Sequence, residues 1–480
     1  MRTSLRRSCN ACVKAKHRCD LQIPQCSRCM KRKSRCLYTN EPAPSRPHDT
    51  STGTSGTRKL ALENEFDVSS ATGRNVRVTP RRFESLVRLE NPSNEYLDPF
   101  SVYPATRLPR THVQRLIHHF LSNIAFQYYP LDLNADSNPF LVSWWPLALQ
   151  DPALFHVSLQ TASLDEEVRA QKGFPISELL MVDSVSLVRR KIEDSSLAFQ
   201  DETLNSVVTL AAIEHGKGHI QASRMHIDGV KRIVDVRGGI DKVKCSSPLT
   251  ARMVLWVSLL VTGTPQFQTQ DDSGDRTGIG PIPQWHLASK DTPSQQLTLD
   301  HLDINPVMSN ILSHLRNIFH DPHLSNLTTT ELHDLTCYVV HKLLLLPPFS
   351  TVDTKQSSTS ECLRYALALY MLIIHGTTYY SHVDIENAIM VQLKTNLKTL
   401  IWTNDFDSLK LWFISIGMAA AGDTADHQWF LDQACIATTA LGLQVWDDVL
   451  LRLQSILWIR MQQGALFQQR WEEVLISLKN

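Results

Sequence analysis

Six cysteines crowd into the first 36 residues, at Cys9, Cys12, Cys19, Cys26, Cys29 and Cys36, separated by two, six, six, two and six residues. A stretch this short has too little apolar side chain to hold a fold by itself, so whatever shape it takes must come from a cross-link or a metal. Adding seventeen to 9, 12 and 19 gives 26, 29 and 36, so the segment is two similar half-units. A two-residue gap lets one turn of chain present two sulfurs to one ion, and each half supplies such a clamp for tetrahedral zinc. Two separate zinc ions would need eight sulfurs. If the six cysteines bind a pair of zinc ions, two sulfurs must therefore bridge both.

Thiolates need compensating charge, and it is at hand. Residues 1–40 hold eleven Lys or Arg against a single acid, Asp20, leaving 37 bases and 47 acids for residues 41–480 of a chain whose net charge is zero. The cations help to keep the thiols deprotonated. They also give the N-terminal end a charge of about +10, which seeks a polyanion. The start, MRTSLRRSCNAC, has no apolar h-region and no cleavage signature, so secretion is not expected. The longest strongly apolar stretch, Met253 to Val261, is far shorter than the ~20 residues of a membrane span, and no membrane partner is expected. In a reducing compartment, clustered cysteines read as metal ligands before they read as a disulfide knot or a redox thiol cluster, the two rival uses.

With Asp20 directly after the third cysteine, Pro24 before the fourth, and the basic run between Cys12 and Cys19, the segment resembles the fungal zinc binuclear cluster family, the two-zinc, six-cysteine transcription factors. The resemblance implies that Cys9 and Cys26 bridge, with Cys12 and Cys19 completing one ion and Cys29 and Cys36 the other. It further implies that the turn Val13–Arg18 carries its C-terminal end into the major groove, where a Lys donates to guanine O6 and N7, pointing to CGG-like triplets. Lys16 stands at the family's base-contact position and Lys14 lies in the same turn. Val13 and Ala15 depart from the family, which often places further basic residues there. Arg18, Arg28, Lys31, Arg32 and Lys33 are assigned to phosphates, which fix register without reading sequence.

From Glu41 to about Thr79 the composition turns to Pro, Ser, Thr, Gly and Arg, which predicts a disordered, flexible linker over 41–106. One short amphipathic helix is expected near 80–90, opened by Thr79-Pro80, with Phe83, Leu86 and Val87 on one face. It lacks the heptads of a coiled coil and is expected to dock on the large domain, leaving a monomer or a homodimer made through that domain.

Residues 107–480 read as an all-helical domain, so the fold class is mostly α. Clear helices are expected over Thr111–Phe126, Ser177–Ser195, Glu202–His215, Ile220–Arg237, Leu249–Thr262, Leu302–Phe319, Thr330–Leu346 and Glu361–Gly376, with four or more beyond. In HIQASRMHIDGVKRIVDVRGG, Ile220, Ile227, Val230 and Val234 share a face and Gly238-Gly239 stops the helix. Its His-x-x-Gly and Arg-Gly-Gly elements are similar to the fungal-specific transcription factor domain, a helical regulatory domain found behind the zinc cluster. Gln266–Pro293 is expected to be a mobile surface loop.

The large domain shows no His-Glu-x-x-His, no phosphate-cradling glycine loop and no Gly-x-Ser-x-Gly elbow, so an enzyme is not expected. Cys245, Cys337, Cys362 and Cys435 read as small buried hydrophobes, and Trp144, Trp145, Trp256, Trp402 and Trp412 as core or interface aromatics. With the resemblance to the zinc cluster family, which implies a nuclear regulator of RNA polymerase II genes, these features point to a sequence-specific regulator. Its zinc head, residues 1–40, binds double-stranded DNA, and its helical body contacts the transcription machinery, co-regulators or a small-molecule effector. The rivals are an effector-binding or scaffolding module weakly anchored by the head, and a hydrolase hidden in the body.

Overall fold

Helix, set by three- and four-residue apolar spacing, accounts for nearly all regular structure in the computed structural model. It describes residues 12, 15 and 27–32 near the start, then 102–128, 134–270, 278–288, 304–321, 325–349, 354–400, 407–422, 424–459 and 464–478. The chain divides into two units, 1–76 and 77–480. In the first, α1 spans Ser27–Lys31. The expected linker helix near 80–90, Trp402 and the ligands other than Cys12 and Cys29 lie outside the described residues.

The second unit opens with α2, Arg110–Ser122, which buries Val113, Leu116, Ile117 and Phe120 at i, i+3, i+4 and i+7. The sequence predicts one helix to Phe126, but the chain tightens to a 3-10 turn over Ile124–Phe126 after the Asn123 amide closes on the His119 carbonyl. A π-helical turn, Phe140–Trp144, runs into α3, Trp145–Gln150. Next comes α4, Pro152–Ala170, an element with no counterpart among the clear helices expected from sequence. Asp151 caps it by accepting from the Leu154 amide at 2.8 Å, and Pro152 occupies its first turn, where a missing N–H costs nothing. Every residue from Ala153 to Leu164 is buried. A helix covered on all sides loses its polar face, and with it the periodicity that would reveal it.

Then follow α5, Pro175–Glu193, α6, Asp201–Gly216, α7, Ile220–Val236, α8, Ile240–Ser246, and α9, Pro248–Thr262. The expected glycine stop after α7 is present: Gly238 and Gly239 sit at φ +90° and +94°, and the Gly239 amide bonds the Val234 carbonyl. Arg237, just before them, donates to Asp201 at 2.6 Å and ties the end of α7 to the start of α6.

Gln266–Pro293 departs from expectation. Among its described residues, Thr269 and Ile279 form an isolated bridge, α10 spans Pro283–Ala288, and Ile279, Ile282 and Trp285 are buried. The Trp285 indole, 4% exposed, stacks on His314 at 4.6 Å, so one large ring carries this polar stretch into the core.

The remaining helices are α11, Pro306–His320, α12, Thr329–Leu345, α13, Thr354–His375, α14, Val383–Thr399, α15, Ser408–Ala421, α16, His427–Leu441, α17, Trp446–Ile456, and α18, Gly464–Ser477. Asn305 caps α11 and Pro306 follows it, which starts the helix later than the Leu302 expected from apolar spacing. Gly417 on α15 lets Phe430 of α16 approach so closely that a Cβ there would lie 2.0 Å from the ring. No β-strand occurs among the described residues, and no single described helix is long and apolar enough to cross a membrane.

Candidate zinc centre and DNA-contact face

Two of the six cluster cysteines are described. Cys12 lies in a helical position and Cys29 in α1, and each is 2% exposed. Burying a thiol to this degree in so small and basic a unit fits a metal-ligating sulfur, since the segment offers little apolar core for it to pack against. The seventeen-residue repeat extends to this environment: Cys12 and Cys29 are matched in burial, and their neighbours Ala15 and Arg32 are both exposed. α1 is closed by the Arg32 amide on the Arg28 carbonyl at 3.1 Å. It exposes Lys31 and Arg32, and Arg28 is half-buried. The unit thus places Lys31 and the half-buried Arg28 on the same short helix as Cys29, an arrangement that phosphate contact beside a thiolate cluster would need.

Cys9, Cys19, Cys26 and Cys36, together with Lys14, Lys16, Arg18 and Lys33, lie outside the described residues. In sequence, the same shift relates Lys14 to Lys31, Lys16 to Lys33 and Arg18 to Arg35. Arg35 is absent from the contact set inferred above, and the repeat pairs it with Arg18.

Among the described residues no group of three or more His, Cys, Asp or Glu is arranged to hold a metal. Among the described residues, Ser122 Oγ lies 3.4 Å from Nδ1 of His118 on the exposed face of α2, and the buried pairing of a nucleophile with a base is Cys337, whose Sγ lies 3.5 Å from Nε2 of His333. Burial pushes the thiol up, while burial, with Arg252 nearby, pulls His333 down to about 3. Both shifts favour the neutral pair, opposite to the thiolate–imidazolium state that makes a cysteine reactive. A cleft beside it, lined by Lys244, Arg252, Leu255, Asp334 and Cys337, has room for about one water molecule. Arg252 closes one wall with a two-pronged bond to Asp334 at 2.7 and 2.9 Å. Cys337 and Cys362 are buried as expected; Cys245 is exposed and Cys435 half-buried, because both sit on outward faces of their helices. Trp144, Trp145, Trp256 and Trp412 are core residues, as expected.

Comparison with known proteins adds two segments. Residues 7–45 match the family model of the fungal Zn(2)-Cys(6) binuclear cluster domain, and residues 115–273 match that of the fungal specific transcription factor domain. The chain is similar to the transcriptional regulator dmxR14 of Cryptosporiopsis sp. (strain 8999), 31% identical over 98 residues. That similarity covers 19% of this chain and 22% of the relative, so it spans under a quarter of either. No solved structure matches.

Proposed function

We propose that this chain, which carries a fungal Zn(2)-Cys(6) binuclear cluster domain ahead of a fungal specific transcription factor domain, is a nuclear, sequence-specific regulator of RNA polymerase II genes. The observation that carries the reading is the six-cysteine repeat, falling within a segment that matches a zinc cluster model over 7–45. Two zinc ions would be held by Cys9, Cys12, Cys19, Cys26, Cys29 and Cys36, with Cys9 and Cys26 shared. Zinc supplies no reaction here; it joins the thiolates into a scaffold. The chain's own residues do the recognition. Lys16, with Lys14 beside it, donates to guanine in the major groove of a CGG-like triplet, and Arg18, Arg28, Lys31, Arg32 and Lys33 hold phosphates. The head takes residues 1–40, the linker 41–106 and the regulatory body 107–480. The body receives a co-regulator, the transcription machinery or a small effector, as a monomer or a homodimer. The name of the relative, a transcriptional regulator, supports the same reading.

Lys16 and Lys31 separate the two kinds of contact. Replacing Lys16 with Ala is expected to cost ~1–3 kcal/mol on cognate DNA and to relax discrimination at one base, whereas Lys31→Ala weakens cognate and scrambled duplexes alike. For four to six neutralised phosphates, the logarithm of the binding constant falls against log salt with a slope of about −4 to −5. Quantitative band-shift titrations of both variants at several salt concentrations check all three values. Equal losses on both duplexes for Lys16→Ala would remove it from the base-contact role, and a flat salt response would remove the phosphate assignment.

A further inference from the structure

Three imidazoles meet in the interior of the body. His333 on α12 and His375 at the end of α13 share a hydrogen bond, Nδ1 to Nε2 at 2.9 Å, and His333 Nε2 faces Cys337 Sγ at 3.5 Å. His382, just before α14, lies against His375 with ring centroids 6.3 Å apart and meets Glu386 at 3.2 Å through Nε2. The Trp256 indole, from α9, touches all three rings at 5.3, 4.6 and 5.9 Å. All four side chains are buried. The node therefore joins α9 to α12, α13 and α14, and α9 lies within the matched segment 115–273 whereas the other three lie beyond it.

We propose that this node is an acid-sensitive latch: it holds α9 against α12–α14 while its imidazoles are neutral and releases them when one takes up a proton. The geometry carries this. An imidazolium has two N–H donors and needs an acceptor for each. Nδ1 of His375 is buried with no well-formed hydrogen bond, so a charged ring there would bury a donor that only the Gly376 backbone approaches. A hydrogen bond between His333 and His375 requires one of them to accept, which a doubly charged pair cannot do. The charged groups around the node do not repair this. Arg252 of α9 repels a charged His333, Lys244 of α8 bears on the neighbouring Cys337, Asp334 of α12 is engaged by Arg252, and Glu386 of α14 pairs with His382. His341, one turn past Cys337 on α12, spends Nδ1 on the Cys337 carbonyl at 2.7 Å, and its Nε2 has no partner. Consistent with this, burial and the neighbouring His333 and His382 hold His375 well below its ordinary value, an effect the Gly376 backbone offsets only in part.

The direction follows. Lowered values in the closed state and an ordinary value near 6.5 in the open state mean that the latch is fully held above about 6.5 and weakens as pH falls toward the lowered values. Between pH 7.5 and 5.5 the open-to-closed ratio should rise about tenfold for one histidine and about a hundredfold for His333 and His375 together. Cys337 reports it. In the full chain, labelling of Cys337 by an acid-active aromatic disulfide, corrected for the rate in denatured protein and read by mass spectrometry, should accelerate about a hundredfold over that range. Labelling of Cys362, buried nearer the start of α13, should stay protected. In His375→Gln the acceleration should fall to about tenfold, and if that variant does not fold, the wild-type pair of cysteines decides. Constant protection of Cys337 in the folded wild type, parallel loss at Cys362, or an unchanged response in His375→Gln would each overturn the latch.

Discussion

Cys26→Ser is expected to leave the full chain without sequence-specific protection of DNA, a loss on cognate sites of about a thousandfold or more, down to what unspecific charge attraction retains. The size follows from the place of Cys26 in the proposed cluster. As one of two shared sulfurs it serves both ions, and serine offers zinc a poorer, protonated oxygen in its place. Structural zinc supplies apparent binding energies of roughly 10–16 kcal/mol, which for a unit with so little core is also its folding energy. Cys245→Ser is the matched control, since that thiol is exposed on α8, outside the cluster, and its loss should leave footprints unchanged. Footprinting of the two variants beside the parent checks the pair. Undiminished protection with Cys26→Ser would contradict the shared-sulfur assignment.

The second large effect lies in the body. Trp412 on α15 is fully buried, packs on Tyr370 with ring centroids 5.6 Å apart, and donates its indole N–H to the Leu457 carbonyl at 2.8 Å, just past the end of α17. Trp412→Ala removes the ring and strands that carbonyl, and is expected to destabilise the body by ~3–5 kcal/mol, with the orphaned acceptor contributing to the upper end. Urea unfolding followed by circular dichroism measures it, since the described helices of the body dominate the signal. Zinc content should be untouched, because the cluster cysteines belong to the other unit. A cost below ~1 kcal/mol would mean that the α15–α17 contact is not the load-carrying one.

The two variants differ in how much of their setting the sequence announces. The cysteine repeat is legible because metal chemistry fixes ligand type and spacing whatever the surrounding packing. α7 is legible for a related reason: one face meets the core and the other meets solvent, so Ile227, Val230 and Val234 recur in step and Gly238-Gly239 marks the stop, while Ile220, expected on that face, is exposed at the first turn. α4 fails the same test because both faces are covered, leaving Ser158, Gln160 and Thr161 buried beside Leu159 and Ala162 with no polar stripe to count. α13 begins at Thr354, before the Glu361 that apolar spacing suggests, since its opening turns, TKQSSTS, carry little apolar signal. Trp285 illustrates the reverse error, a single ring anchoring a stretch whose Gln, Asp, Gly and Pro read as surface loop. The histidine node was invisible as well: His333, His375 and His382 stand far apart along the chain and only the packing of α9 and α12–α14 assembles them. For the head, the proposed ligands are legible in the spacing, whereas the proposed base-contact role of Lys16 rests on resemblance alone.

The most direct test of the account is the metal content of the purified full chain, measured by plasma mass spectrometry against protein concentration. Two zinc ions per chain, released together with DNA binding when a strong chelator is added, is the predicted result. A chain that binds its cognate triplet with no zinc, or that keeps its affinity after both ions are stripped, would contradict it.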